Sequence, residues 1–243
     1  MAGWNAVFKR EFAGYFATPV ALVFIVIFLV LAGVFTFELG GFFNRGQADL
    51  RPFFDFHPWL YLFLVPAVAM RLWAEERRTG TMELLLTLPI APFGAVLGKF
   101  LAAWAFVGLA LALTFPIWWS VNFLGEPDNG AIFSGYVGSL LMAGGFLAIG
   151  SVMSACTKSQ VVAFILTIVV CLVLLLAGLG PVVNFIKGWM PAGVVDAITG
   201  LSFLTRFENI SRGVIELRDV LYFVSLMGVS LVVTTWVLES KRH

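Results

Sequence analysis

The chain has 243 residues, 60% hydrophobic and only 12% charged, against roughly 45–50% and 25% in an ordinary soluble domain. Its 25 Phe, 8 Trp and 4 Tyr would have too little interior to hide in under water, which excludes a water-soluble globule and makes lipid the natural solvent. Lys and Arg number 15 against 14 Asp and Glu, a net charge of +1, so the basic field that nucleic-acid binding requires is missing.

In residues 1–18, Trp4, Val7, Phe8, Phe12, Tyr15 and Phe16 recur at helical spacing with Lys9, Arg10 and Glu11 between them. That is the pattern of a helix lying along a membrane surface, and an interfacial elbow helix is expected ahead of the first span. The apolar run after it continues past Leu31 without a small-residue cleavage site, so the N-terminus is expected to stay on the mature protein.

A hydrocarbon core of about 30 Å takes about 20 apolar residues per helix. Six runs approach that length: Pro19–Phe37, Pro58–Trp73, Leu97–Phe123, Ala131–Cys156, Val161–Gly180 and Val220–Leu238. The second is short and carries Pro66, which removes a helix hydrogen bond but is tolerable inside a bundle. The expected fold is an all-α membrane protein of six transmembrane helices forming one domain over residues 1–243. Cys156 and Cys171 fall in apolar stretches and read as small buried hydrophobes.

Orientation is set by the cations. With a cytoplasmic N-terminus, the inner segments hold Lys9, Arg10, Arg71, Arg77, Arg78, Lys99, Lys158, Lys241 and Arg242, with five acids. The outer segments hold Arg45, Arg51, Lys187, Arg206, Arg212 and Arg218 with nine acids, and the short connection at Leu124–Gly130 has Glu126 and Asp128 and no cation. The balance is +4 inside and −3 outside, and both ends are expected in the cytoplasm.

The long outer segment, residues 181–219, contains the apolar stretch Val194–Leu204, interrupted by Asp196 and Gly200 and too short to span. It either dips into the outer leaflet and returns, or packs on the bundle as an ordinary loop. Residues Asn209–Val220 suit a short amphipathic helix leading into the last span.

The densest charge lies between the second and third runs. Glu75, Glu76, Arg77 and Arg78 continue the second helix out of the lipid, Gly80 breaks it, and Thr79 and Thr81 can cap a new helix after the break. Met82–Leu88 then forms a short apolar surface helix that Pro89 helps end. Its Leu84, Leu85, Leu86 and Leu88 must cover their own bundle or enter a partner's groove; the plainer reading is a charged anchor at the lipid boundary leading into a packed loop.

The string Ala74-Glu-Glu-Arg-Arg-Thr-Gly-Thr-Met-Glu-Leu-Leu-Leu-Thr-Leu-Pro89, with Leu97-Gly-Lys-Phe100 after it, closely resembles the intracellular motif of type-2 ABC exporter permeases. Within that family it is most similar to the six-helix permease named for an accessory role in bacterial gliding motility; the nitrous-oxide-reductase maturation permease is a nearer cousin than the large eukaryotic members. The resemblance covers essentially the whole chain, including a long last outer loop reading Phe203-Leu-Thr-Arg-Phe-Glu-Asn-Ile-Ser-Arg-Gly-Val-Ile-Glu-Leu-Arg-Asp219.

The resemblance implies that residues 75–89 are a coupling segment docking on a separate ATPase subunit, with Glu75, Glu76, Arg77, Arg78, Gly80, Thr81 and Glu83 as its contact residues. Physically, the charged side chains can pair across a wet interface while Leu84 and Leu85 anchor it. The Thr157–Gln160 turn, with Lys158, is a second contact candidate. The implied function is the permease subunit of an ATP-binding cassette exporter in a bacterial inner membrane, paired with a second copy or a related permease, and working by alternating access or by transmitting force to periplasmic or envelope proteins. No cofactor is expected on this chain; ATP and Mg belong to the partner.

Two readings from other classes compete. A secondary transporter calls for charges or matched broken helices at midmembrane, and a non-transporting assembly factor shares the hydropathy but has no use for a coupling helix. Gly94-Ala-Val-Leu-Gly98-Lys99-Phe100 has the wrong glycine spacing and no Ser or Thr after the lysine for a phosphate-binding loop, so no ATP hydrolysis by that route is expected. Gly94 and Gly98 read either as a close helix contact or as a flexible start to the third span. His57, beside Asp55, lacks a second ligand or nucleophile and is not expected to be catalytic. Glu38 and Asp196 lie near the apolar zone; both are expected at the headgroup level, with Asp196 as the alternative substrate-path residue. Phe-rich walls without buried charge favour a lipid, polymer or hydrophobic segment as cargo.

Overall fold

The structure, a computed structural model, describes residues 3–82 and 91–241. Every regular element among them is helical. The first helix, α1 (Gly3–Phe16), leads into α2 (Pro19–Val34), which starts where Pro19 presets φ after the extended Thr18. The end of α2 widens into a π turn, Phe35–Leu39, closed by the Gly40 amide donating to the Phe35 carbonyl at 2.7 Å. Two left-handed glycines, Gly41 and Gly46, bracket the single turn α3 (Phe42–Arg45), a backbone conformation that costs glycine nothing.

The second run holds one helix, α5 (His57–Ala69), preceded by α4 (Arg51–Asp55). Turns over residues 70–73 then separate it from α6 (Ala74–Thr79), so residues 75–78 sit on a new helix and do not continue the second one, contrary to expectation. Helix α5 is only 13 residues, about 20 Å at 1.5 Å per residue. It is buried on nearly every side through Leu60, Tyr61, Leu62, Val65, Pro66, Val68 and Ala69, as its unbroken apolarity demands.

Helix α7 (Pro92–Ala112) ends before Thr114, and α8 (Phe115–Leu124) carries the chain onward. The break is local chemistry: Pro116 has no amide to give Ala112 and its ring crowds that carbonyl, so Thr114 turns its hydroxyl onto the Leu111 carbonyl at 2.6 Å instead. Asp128 then caps α9 (Asn129–Cys156), accepting from the Gly130 and Ala131 amides at 2.9 and 3.2 Å. Helix α10 (Gln160–Leu176) is capped by Ser159 and bends by 74° into α11 (Gly180–Lys187).

Residues 192–216 fold into α12 (Ala192–Gly200) and α13 (Phe203–Ser211), after which α14 (Leu217–Ser240) runs to the C-terminus. The amphipathic helix expected over Asn209–Val220 is therefore interrupted. Gly213 takes φ +95°, a left-handed turn that ends one helix before the next begins at Leu217.

By length and composition, four helical stretches among the described residues can cross a membrane: Ala21–Arg45, Pro92–Leu124, Asn129–Cys156 and Leu217–Ser240; the bent α10–α11 pair makes a fifth. The second run falls short of that test because its helix, α5, has only 13 residues.

Helix α9 is the axle of the bundle, touching α5, α7, α10, α13 and α14. Its glycines permit this. A Cβ on Gly138 would meet Ile210 at 2.9 Å, one on Gly145 would meet Phe203 at 2.8 Å, and one on Gly144 would meet the Met227 sulfur at 2.5 Å, the close-approach use of small residues between apolar helices. Helix α13 lies along α9 from Gly145, beside Phe203, to Gly138, beside Ile210, and the turn after it brings Gly213 to Ala131, about 21 Å along the axle in all. The loop is thus not a surface strap: its middle reaches half-way down the bundle. Both chain ends meet at the opposite pole, the proximal end, where α1 lies on α7 and the Lys241 ammonium reaches the Cys156 carbonyl at 2.8 Å.

Candidate functional site

The expected coupling residues converge on the proximal end. Trp73 is fully buried (1% exposed) and opens α6 without a side-chain cap of its own. One hydroxyl of α9 does that work: Ser154 Oγ accepts from the backbone amides of Trp73 and Ala74, both at 3.0 Å, and donates to the Met70 carbonyl at 2.9 Å. The Trp73 indole N–H donates to Ser151 at 3.1 Å, and Ser151 is reached at 3.4 Å by Thr234 of α14.

Each of Glu75, Glu76 and Arg77 has its own tether. Glu75 accepts from Arg71 at 3.4 Å and from Gln160, the first residue of α10, at 3.2 Å. Arg77 donates to the Ala155 carbonyl at 2.6 Å. With Lys241 on Cys156, two cations occupy carbonyls at the end of α9 that have no partner within the helix. Glu76 sits 2.8 Å from Lys99 of α7, which also lies 3.2 Å from Glu11 of α1 and 5.3 Å from the Trp73 ring centroid. The Lys99 side chain is 4% exposed and the two carboxylates about a fifth, so this three-charge cluster is largely withdrawn from water. The second Glu76 oxygen, Oε2, is buried without a partner among the described residues.

Gly98 lets α1 reach this cluster. A Cβ there would meet the Trp4 carbonyl at 2.7 Å and Val7 at 2.9 Å, so the backbone of α1 lies directly on α7. Burial pushes the Glu11 carboxyl up, but Lys99 beside it and hydrogen bonds from Arg10 and Lys99 outweigh that and hold it below its ordinary value.

Arg78, Gly80 and Thr81 are exposed just beyond. Gly80 takes φ +73°, closing α6 in the left-handed conformation that favours glycine, and the Thr79 hydroxyl lies 2.9 Å from that of Thr81. Lys158 is exposed in the turn between α9 and α10, two residues from Gln160, so the second contact candidate is adjacent to the first. Glu83, Leu84 and Leu85, with the short helix expected over Met82–Leu88, lie outside the described residues apart from Met82, which is buried.

Sequence reasoning missed Lys99, Glu11, Trp73, Ser151, Ser154 and Gln160 as members of this cluster. A signal existed for Lys99: a lone cation inside an apolar run needs a buried partner, and Glu11 and Glu76 supply it. The expectation of an interior without buried charge is corrected. Besides Lys99, Asp219 is fully buried and bound to Arg206 at 2.8 Å, while Arg206 also donates to the Gly200 carbonyl through Nε at 3.2 Å and NH2 at 3.1 Å. Apolar patterning conceals such pairs because each member sits apart from its partner in the chain.

Asp196 is exposed on α12 and Glu38 is exposed on the π turn. His57 is fully buried, donating from Nδ1 to the Phe53 carbonyl at 2.8 Å amid the rings of Phe28, Phe53, Phe54 and Tyr61. Of the two cysteines only Cys171 is buried; Cys156 is exposed because it ends α9 at the proximal surface.

Helices long and apolar enough to cross a membrane, packed around α9, define a multi-pass membrane protein. The sequence model of the ABC-2 family transporter protein matches residues 6–235, nearly the whole chain, and the protein belongs to that family. Its members are membrane subunits without an ATPase site of their own, and they work with ATPase subunits. No curated protein matches the sequence significantly.

Proposed function

We propose that this chain is the permease subunit of an ATP-binding cassette exporter of a bacterial inner membrane, and that the segment 75–89 receives the motion of a separate ATPase subunit. The observation that carries this reading is the wiring of α6: Glu75, Glu76, Arg77 and the Trp73–Ala74 backbone tie it to α10, α7 and α9, and through Lys99 and Ser151 to α1 and α14. A partner that displaces α6 therefore pulls on most of the bundle at once. Arg78, Gly80, Thr81 and Lys158 are the exposed contact surface, with Glu83, Leu84 and Leu85 beyond it.

On this reading the chain crosses six times, with the broken α4–α5–α6 run as the second crossing, and the proximal end faces the cytoplasm. Residues 1–18 form the elbow, and the 181–219 loop re-enters the outer leaflet through α12 and α13. Two permeases, identical or related, enclose the path, and ATP and Mg stay on the partner. The cycle is alternating access, or force passed to envelope proteins. The buried charges are spent on each other, which leaves apolar walls suited to a lipid, polymer or hydrophobic segment.

Co-expression with neighbouring genes and affinity purification test the assignment. An ATPase subunit is expected to co-purify and to be stimulated by the permease. Glu83→Arg with Leu84→Asp is expected to abolish the association, and Arg77→Ala to keep the association while reducing the stimulation. Association that survives the double substitution with full stimulation overturns the coupling role. Asp196→Asn is expected to leave transport and ATPase binding unchanged if Asp196 sits at the headgroup level; lowered transport with ATPase binding intact puts it on the substrate path instead.

A further inference from the structure

Two cavities meet between α1, the start of α2 and the proximal end of α5. The first, about 320 Å³, carries the charged side chains of Arg10, Glu11, Arg71 and Glu75 beside Tyr15 and Leu72. The second, about 280 Å³, is apolar, lined by Ala21, Phe24, Ala67, Val68, Met70 and Phe106. Tyr15, Thr18 and Arg71 line both, so the two cavities adjoin, with charged side chains around the first and an apolar floor in the second, each close to the roughly 300 Å³ at which ligand clefts begin.

The change in lining follows α2, whose residues from Ala21 on belong to a stretch long and apolar enough to cross a membrane. From Thr18 to Phe24 is about 9 Å along α2, from the junction where the elbow meets the first crossing into the depth where Leu22 and Val23 of the same helix are exposed. An amphiphile with its head at Arg71 and one chain beside Phe24 matches that change in lining.

The charges favour a phosphate in the first cavity. Glu11 already accepts from Arg10 at 2.7 Å and Lys99 at 3.2 Å, and Glu75 is held by Gln160 at 3.2 Å. Arg71 is under-used by comparison. Its contact among the described residues is Nε to Glu75 at 3.4 Å, well beyond the 2.7–2.9 Å of a strong charge-assisted bond. Its two terminal NH2 groups remain for the fork-shaped recognition at which guanidinium excels.

We propose that these adjoining cavities seat one phospholipid of the leaflet at the proximal end, its phosphate on the Arg71 guanidinium and one acyl chain along Ala67, Val68 and Phe24. The site lies inside one chain, between elbow and crossings, and requires only that the chain spans a membrane; the coupling role of α6 does not enter.

Native mass spectrometry of the full chain, delipidated in detergent and then titrated, tests it. The probes are dioleoyl phosphatidylglycerol, dioleoyl phosphatidylethanolamine and, as the phosphate-free control, dioleoylglycerol. One phospholipid is expected to be retained per chain, with dioleoylglycerol held about tenfold less well. Arg71→Gln is expected to lower phospholipid retention to the level of the control lipid, Arg71→Lys to keep most of it, and Ala67→Trp to remove it by filling the floor. Retention unchanged in both Arg71→Gln and Ala67→Trp overturns the site, as does equal retention of dioleoylglycerol and either phospholipid by the unaltered chain.

Discussion

Lys99 stands 2.8 Å from Glu76 and 3.2 Å from Glu11 of the elbow, so one buried ammonium joins the segment after the second run to the N-terminal helix. Lys99→Met keeps the stem and removes the charge, leaving two carboxylates without their shared cation. Removing one partner from a buried pair costs about 3–5 kcal/mol, and the water still reaching both acids brings the expectation to the bottom of that range. In a protein of this size that is a fall in Tm of roughly 6–12 °C. The double variant Lys99→Met with Glu76→Gln is expected to recover part of the loss. Equal Tm values for the single and double variants in detergent would show that the ammonium does not hold the pair.

Ser154 does for α6 what a capping side chain does elsewhere. Ser154→Ala strands two backbone amides and the Met70 carbonyl in a dry site, at about 1–3 kcal/mol for each buried group left unmet. Hydrogen exchange of Trp73–Thr79 is expected to accelerate by roughly tenfold or more, while Gly3–Phe16, which has no bond to Ser154, keeps its protection. Unchanged exchange over α6 would mean that the hydroxyl is not what closes this end.

The docking of α1 is expected to depend on acid pH. The folded-state pKa of Glu11 lies below its ordinary value of 4.5, so the stabilisation is complete above that value and is lost as pH falls through the lower folded one. At neutral pH, Glu11→Gln is expected to melt below the unaltered chain. Below the folded-state pKa of Glu11 the two curves should coincide, and a difference that persists undiminished in acid would contradict the Lys99 pairing.

Much of this architecture was legible in the chain because apolar run length is set by the lipid itself: α2, α9 and α14 begin and end within a few residues of where hydropathy puts them. The helix at the N-terminus was legible too, from Trp4 to Phe16 at helical spacing. The breaks were harder. Pro66 drew notice although α5 runs through it, whereas Pro116, with less contrast around it, ends α7. Gly213 splits an amphipathic pattern that periodicity alone reads as continuous. The charged segment was visible from Glu75 to Thr81, but its tethers were not. Ser151, Ser154 and Lys99 are remote in sequence and meet α6 only once α9 and α7 are packed, and single polar residues within apolar helices carry no local sign of a partner.

The same blindness hid Arg206 and Asp219, and their pairing yields the sharpest stability test at the distal half. Asp219 is fully buried, receives Arg206 at 2.8 Å and Asn209 at 3.4 Å, and ties α13 to the first turn of α14. Arg206 also binds the Gly200 carbonyl, with its guanidinium 5.6 Å from the Tyr222 ring centroid. Asp219→Ala leaves a guanidinium with no counter-charge in this pocket, expected to cost about 3–5 kcal/mol and to lower Tm by roughly 10 °C or more. Arg206→Met combined with Asp219→Leu removes both charges and fills the space with apolar atoms, so it is expected to melt close to the unaltered chain, because a buried pair barely repays its own desolvation. The ordering is the test: a double variant less stable than Asp219→Ala would mean that the pair contributes net stability as a charged unit, and that α13 is held against α14 by attraction rather than by the penalty for breaking it.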